Sequence, residues 1–387
     1  MKWNIRHLRV FLAVTRHSSV SRAADECHLS QPAVTQAIAK LERAFALPLF
    51  QHMTQGLFVT PAGETLALRV ERALARIDTA TAPIAPRLSS TATTSQLEAL
   101  IAVRELENFS LAARHLGLAQ PTVHRAVSQL ESEAQKPLFK RSAYGLRATR
   151  ACQALADAAQ LAFAELDQAV MELAELAGRE VGQIVVGALP LSRAYILSSA
   201  IIEFRKTRPN LLIRVDEGPY SELLSGLRRG EVDMLIGALR DPVPIDDVTQ
   251  TELFTDDLIL VAGPDHPLVG KPAITLEEMA AFPWVVARNG TPTRMLFDKL
   301  FDPAETQVSL VETGSMILMR QLLRQSNHLG CISRLQAAAE VDMGLMVPLD
   351  FDLTLTRRPI GLTTRVGWIP TRGQLALIDK ISQAAAE

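Results

Sequence analysis

Two stretches of the chain put amide, hydroxyl and cationic side chains at matching offsets. In the first, Gln31, Thr35, Gln36 and Lys40 follow Ser30 and Pro32; in the second, Gln120, Thr122, His124, Arg125 and Gln129 stand in the corresponding frame, Gln120 lying 89 residues after Gln31. A glutamine amide offers a donor beside an acceptor and fits an adenine edge, whereas arginine takes guanine or a phosphate. Small and amide-bearing residues along one outward helix face therefore suit duplex DNA read through its major groove. The competing reading is a helical bundle that docks on protein and leaves these polar groups solvated.

The elements that must hold these residues are themselves repeated. Leu8 to Ala62 overlies Leu97 to Ala151 without a gap, and about 20 of 55 positions are identical, the mark of a duplicated domain. Each copy reads as helix, helix, turn, helix, short hairpin. Leu8, Phe11, Leu12 and Val14 share a helical face, Ser18 or Ser19 can cap a second helix, and Ala23-Ala24 permits close helix packing. The turn is Cys27-His28-Leu29 in one copy and Leu116-Gly117-Leu118 in the other, where Gly, or less readily His, accepts a positive φ. Ser30 is placed to cap the third helix, and Pro32 is tolerated in its first turn. That helix is expected from about Gln31 to Phe45 with Val34, Ile38 and Leu41 inward.

Charge follows the duplication. Residues 1–62 carry seven Lys and Arg against three Asp and Glu, residues 95–151 eight against five, residues 152–181 one against six, and residues 182–387 twenty against twenty-five. The repeated segments are the basic ones against an acidic remainder from residue 152 on, so a polyanion partner is expected for them and not for that remainder. With 48% hydrophobic and 21% charged residues the chain reads as globular. It opens without a signal-peptide pattern and holds no run of about 18 apolar residues, so a cytoplasmic location with no membrane partner is expected. Cys27, Cys152 and Cys331 are too scattered for a disulfide framework or a zinc site.

Beyond each copy lies an apolar seam: Leu66, Val70, Ala73 and Ile77 after the first; Leu155, Ala162, Ala169 and Leu176, with Ala159, Leu166 and Leu173 interleaved, after the second. Such seams favour helix pairing between chains, packing within the chain being the alternative. A Pro/Ser/Thr-rich connector, residues 82–95, separates the copies. From Gly182 short apolar runs at Ile184–Ala188, Leu212–Val215, Met234–Ala238 and Leu258–Val261 alternate with helical segments expected at Arg193 to Lys206 and Ser221 to Arg229, which predicts a parallel sheet. Runs at Trp284–Ala287, Val308–Val311 and Gly330–Ile332 predict a second lobe, and Arg365–Ile369 a return to the first. Ligands of such sheets sit at strand ends. Ser192, Arg240, Asn289, Thr291, Arg294, Thr313 and Ser315 occupy those positions, the arginines suited to a carboxylate. GxSxG, HExxH, GxGxxG and Walker patterns are absent, so neither catalysis, a cofactor nor a metal is expected.

Ile5-Arg6-His7-Leu8-Arg9-Val10-Phe11, Ser21-Arg22-Ala23-Ala24, Ser30-Gln31-Pro32-Ala33-Val34-Thr35, Leu41-Glu42, Leu49-Phe50 and Val59-Thr60-Pro61-Ala62-Gly63-Glu64 together resemble the winged helix-turn-helix of LysR-type transcriptional regulators. The resemblance runs over nearly all of residues 5–80 and, less completely, 97–178. It departs in having Thr35-Gln36 where Ser-Arg is usual and His52 where the wing carries Arg. The second copy has Arg125 and Arg141, but Ala119 in place of the capping Ser and Arg150-Ala151-Cys152-Gln153 in place of Pro61-Ala62-Gly63-Glu64. Gly182-Gln183-Ile184-Val185-Val186-Gly187-Ala188-Leu189-Pro190, Leu227-Arg228-Arg229-Gly230-Glu231-Val232-Asp233 and His266-Pro267-Leu268 resemble the effector domain of the same family, which is similar to periplasmic solute-binding proteins.

The resemblance implies an α+β multidomain chain: two winged helix-turn-helix domains at 1–62 and 95–151, linker helices at 63–94 and 152–181, and a two-lobed α/β domain at 182–387, with lobe one at 182–257 and 347–387 and lobe two at 258–346. It implies as partners promoter DNA, a small-molecule effector with organic acids among the candidates, a second chain in a homodimer or homotetramer, and RNA polymerase. The alternative is a solute-binding protein whose helical domains dock on protein.

Overall fold

The computed structural model describes residues 3–53, 56–142, 145–243, 245–300, 308–353 and 356–386. The chain divides into two compact units, one formed mainly by residues 1–183 and the other mainly by residues 184–387.

The first unit writes one motif twice. Helices α1 (Ile5–His17), α2 (Val20–Glu26) and α3 (Gln31–Phe45) lead into the antiparallel hairpin β1 (Phe50–Met53) and β2 (Gly56–Val59), then the long α4 (Pro61–Thr81). After the short α5 (Leu88–Thr91), the series repeats as α6 (Thr94–Leu106), α7 (Phe109–His115), α8 (Gln120–Ala134), β3 (Phe139–Ser142), β4 (Gly145–Ala148) and α9 (Arg150–Leu176). Local signals agree with these bounds. Ser19 caps α2, accepting from the Arg22 amide, and Asn108 caps α7; His28 (φ 52°) and Gly117 (φ 64°) make the equivalent left-handed turns.

The identical Leu41-Glu42 and Leu130-Glu131 pairs have a physical reason. Each leucine is buried, and each glutamate bends back to hold the start of its hairpin: the Leu49 and Phe50 amides donate to Glu42 Oε1 at 2.8 and 3.3 Å, the Leu138 and Phe139 amides to Glu131 Oε1 at 2.8 and 3.1 Å. One carboxylate thus fixes the hairpin to its third helix in both copies. The first wing is the tighter, for a Cβ on Gly63 would lie 2.3 Å from the Leu49 carbonyl oxygen, where the second copy carries Cys152.

The apolar seams after the two copies are expected to pair between chains, but they meet within one. Leu66, Val70, Ala73 and Ile77 of α4 join Leu155, Ala159, Ala162, Leu166, Ala169 and Leu173 of α9 in a single buried cluster, with only Leu176 left exposed. The helices are antiparallel, since partners descend α9 as they ascend α4: Arg69 bonds Glu172, Gln168 and Glu165, and Arg72 and Arg76 bond Glu165. Arg69 has no solvent exposure, and its Nη1 donates to Glu165 Oε2 at 3.0 Å and to Gln168 Oε1 at 2.7 Å.

The second unit holds two five-stranded sheets. The first contains β5 (Gln183–Ala188), β6 (Leu212–Asp216), β7 (Met234–Ala238), β8 (Val248–Asp256) and β14 (Arg358–Arg365), in the order β6-β5-β7-β14-β8. Its helices are α10 (Pro190–Ala194), α11 (Ile196–Thr207), α12 (Tyr220–Arg229) and α17 (Arg372–Ala386). The second contains β9 (Leu258–Ala262), β10 (Trp284–Val286), β11 (Leu310–Glu312), β12 (Leu329–Ser333) and β13 (Val347–Pro348), in the order β11-β10-β12-β9-β13, with α13 (Leu276–Ala280), α14 (Pro292–Asp298), α15 (Met316–Gln325) and α16 (Arg334–Asp342).

Three expectations need correction. The sheets are mixed, because β14 runs antiparallel to β7 and β8, and β12 antiparallel to β9. The returning strand is Arg358–Arg365 rather than Arg365–Ile369, whose Gly367 and Trp368 lie beyond it in a turn. The helix expected from Arg193 to Lys206 is broken at Tyr195 into α10 and α11. In addition, β13, assigned by the sequence to lobe one, pairs with β9 of the second sheet.

Arg69→Ala is expected to destabilise the first unit by about 3 kcal/mol, because it strands the buried Glu165 carboxylate with Arg72 as its main partner. Burial would raise the Glu165 pKa, but hydrogen bonds from Arg72 and Arg69 outweigh it and hold the group below its ordinary value. A depressed folded-state pKa contributes stability that is complete above the ordinary carboxylate range and lost as pH falls through the folded value. Urea midpoints measured between pH 7 and pH 3 should therefore converge for wild type and Arg69→Ala at the acid end.

Candidate nucleic-acid interface and ligand cleft

In both copies the third helix turns a polar face outward. Gln31, Pro32, Thr35, Gln36 and Lys40 are exposed on α3 while Val34, Ala37, Ile38 and Leu41 are buried; on α8, Gln120, Thr122, His124, Arg125 and Gln129 are exposed while Val123, Val127 and Leu130 are buried. Arg141 is exposed on β3 opposite Leu146. His52 lies in β1 opposite Leu57, and its side chain falls outside the described set.

Neither recognition helix has a side-chain cap. Ser30 takes the N-cap position of α3, yet its hydroxyl makes no cap bond, and Ala119 cannot make one. Pro32 and Pro121 remove an amide that such a cap would receive. The Ala33 and Thr122 amides turn back to the Ser30 and Ala119 carbonyls at 3.0 and 2.9 Å, so each start offers an outside acceptor such as a phosphate oxygen the positive end of a helix dipole rather than a row of free amides. Some side chains of these faces already have weak tethers: Gln31 Nε2 donates to Ser21 Oγ at 3.3 Å, Gln129 Oε1 accepts from Gln96 Nε2 at 3.2 Å, and the His124 ring packs at 5.1 Å from Phe109.

In the second unit the predicted ligand residues separate into two groups. Asn289, Thr291, Thr313 and Ser315 gather where β10 and β11, adjacent and parallel, end. Thr291 and Ser315 cap α14 and α15, the Thr291 hydroxyl also donates to the Arg288 carbonyl, and Thr313 Oγ1 accepts from the Ser315 amide. Arg294 is buried and its charge is met by Asp298 at 2.6 Å and by Glu312. Ser192 is fully buried, its hydroxyl turned to the Leu189 and Ile236 carbonyls at 2.8 and 3.1 Å.

Arg240 differs. Its guanidinium lies 4.4 Å over the Tyr220 ring, and among the described residues no carboxylate pairs with it. Burial lowers its pKa and nearby Arg358 lowers it further, with Tyr220 opposing. Nothing in the periodicity around Arg358 marks its position in the sequence. It stands at the crossing between the sheets, donating to Asp256 Oδ2 at 3.1 Å and to Thr293 of α14, while Ser333 at the end of β12 donates to Asp256 Oδ1 at 2.9 Å. A guanidinium stacked on an aromatic ring and without a carboxylate partner among the described residues is suited to an anion with a flat apolar body.

The thiols are not poised for reaction. Cys152 and Cys331 are buried, and burial pushes each pKa up to about 12, far from the thiolate that redox chemistry requires. Among the described residues no group of three His, Cys, Asp or Glu could hold a metal, and no helix is long and apolar enough to cross a membrane.

Comparison with known proteins accords with this geometry. Residues 5–64 and 94–153 each match the family of bacterial regulatory helix-turn-helix proteins of the lysR type, and residues 177–386 match the LysR substrate binding domain. The HTH-type transcriptional regulator GalR of Pseudomonas putida is 34% identical over 394 residues, covering 99% of this chain and 98% of its own. PcaQ of Agrobacterium fabrum, an HTH-type transcriptional regulator, is 26% identical over 301 residues, covering 75% of this chain and 94% of its own. Two solved structures share the fold: a full-length OxyR variant from Pseudomonas aeruginosa (TM-score 0.54, 21% identity, 75% of this chain, 93% of that one) and full-length CbnR with its target DNA (TM-score 0.51, 19% identity, 75% and 98%). These last three are matched nearly whole yet leave a quarter of this chain over, about the length of one repeat.

Arg125→Ala is expected to weaken duplex binding by about 1–3 kcal/mol if Arg125 reads a guanine, or to flatten the salt dependence by about one counterion if it meets a phosphate. Anisotropy titrations at two salt concentrations separate these outcomes, and no change in either quantity would remove Arg125 from the interface.

Proposed function

Because this chain belongs to the LysR family of transcriptional regulators, we propose that both of its helix-turn-helix copies read promoter DNA and that an anionic small molecule held between the lobes controls them. The observation that carries the first part is the recurrence of an uncapped helix with an exposed amide, hydroxyl and cationic face, in two segments that are the basic ones of the chain. The boundaries proposed for the readers are residues 1–62 and 95–151, with residues 182–387 as the effector domain. Regulation of this kind places the protein in the cytoplasm with RNA polymerase as a partner at the promoter.

For the effector, Arg240 over the Tyr220 ring favours an organic acid, aromatic acids included, with the groups at the ends of β10 and β11 closing over it. An acid bound there would shift the population of lobe openings about the Asp256–Arg358 crossing. The finding that CbnR was solved with its target DNA supports the mode of action by analogy.

DNase footprinting on the upstream region of its own gene tests the DNA reading. Gln31→Ala/Thr35→Ala and Gln120→Ala/Arg125→Ala should each remove a different protected patch; a wild-type chain that protects nothing at low salt would sink it. For the effector, a thermal-shift panel of small carboxylates, sugars and amines should yield a stabilising carboxylate, and Arg240→Ala should weaken its binding at least tenfold. A stabilising sugar or amine that ignores Arg240 would overturn the assignment.

A further inference from the structure

We infer that one chain by itself is the unit that occupies an inverted repeat in DNA, its two halves reading half-sites of unequal sequence. The inference rests on both copies binding DNA and adds how they are presented.

The helices α4 and α9 are equivalent parts of the duplicated segment, offset by 89 residues, so Arg76 and Glu165 are the same position in the two copies. They meet each other, Arg76 Nη2 lying 3.5 Å from Glu165 Oε1. An antiparallel pair in which a position meets its own equivalent has a local twofold axis at that point. The copies, each joined to its long helix by the same wing, are related by that axis, and so are α3 and α8. Two recognition helices related by a twofold match a sequence that reads alike from its two ends. The match is imperfect because Thr35 and Gln36 of one reader face the groove where the other presents His124 and Arg125.

Charge makes the pairing heterotypic. If two α4 helices paired in this register, the places of Glu165, Gln168 and Glu172 would be taken by Arg76, Thr79 and Pro83. Arg69 would lose its acceptors and gain a like charge. If two α9 helices paired, Glu165 would lie against Glu165, and the places of Arg69 and Arg72 would fall to Ala158 and Leu161. Each homotypic pair strands buried charge, which is strongly destabilising. The only connection between α4 and α6 is residues 82–93, so the two halves face each other at the millimolar effective concentration of a short tether.

The test selects duplexes from a random 40-base-pair pool with the full chain, then weighs the complex on an enriched duplex by native mass spectrometry. The expected result is an inverted repeat with unequal halves carrying one 42.3 kDa chain per repeat, a ratio kept where second units join two chains across two repeats. A lone half-site, a direct repeat or two chains per repeat would overturn the inference while leaving DNA reading intact; a pool that shows no enrichment overturns the DNA reading itself. A second measurement mixes, by co-expression, chains carrying Thr35→Ala/Gln36→Ala with chains carrying His124→Ala/Arg125→Ala, all surface changes. Pairing within the chain predicts no recovery of full protection, and recovery to the wild-type footprint means that α4 pairs with α9 of another chain.

Discussion

Arg69 is a guanidinium with no access to water, placed in the middle of a helix that is otherwise apolar on that side. A charge in such a place persists only where carboxylate and amide oxygens converge on it. Glu165, Gln168 and Glu172 supply them from three successive positions of one face of α9. The register, direction and identity of the partner helix follow from that one requirement. The surrounding Leu, Val and Ala contacts add most of the burial but little choice, for apolar side chains pack against almost any apolar seam. Ion pairs of this kind seldom raise stability above that of a hydrophobic replacement; their effect is to make the wrong pairings worse.

The second unit uses the same device at a different place. Asp256 ends β8, where the chain leaves one sheet, and Arg358 begins β14, where it returns; their pairing, shared with Ser333 and Thr293, ties both crossings together at one point. Each sheet keeps its own core, and besides this crossing α10 of the first lobe packs against α16 of the second. Arg240 stands close enough to this crossing for the Arg358 charge to lower its pKa, so an acid held by Arg240 as proposed would share the electrostatic neighbourhood of the crossing.

Much of this was legible in the sequence, and what escaped it did so for physical reasons. The duplication, the bounds of α3, the left-handed turn at His28 and most buried strands follow from local periodicity and turn chemistry, which act over a few residues. The seams on α4 and α9 were visible as buried faces, but a hydrophobic face carries no label for its partner; the decisive signal was the charge difference between residues 69–76 and 165–172, which has meaning only once the helices are laid antiparallel. The strand β8 is an edge strand, only its end residues buried, so no apolar run announced it. Ser192 and Arg294 sit at strand ends as expected, yet the hydroxyl faces the Leu189 and Ile236 carbonyls and the guanidinium faces Asp298 and Glu312, and the Ile236 and Glu312 contacts come from other strands. Arg358 acts through Asp256, 102 residues away, and no local pattern points to it.

The pairing of α4 with α9 has a consequence for how such a reader changes over generations. In a symmetric assembly of identical chains every codon is expressed twice, so a substitution at a base-contacting position alters both halves of the bound sequence together, and the DNA must change at two places at once to follow it. Here Gln36 and Arg125 are equivalent in place but encoded separately. With both copies reading DNA as proposed, either can drift while the other keeps its grip, and the target can follow one base pair at a time. The asymmetry already present between the two outward faces is what that uncoupling would leave behind.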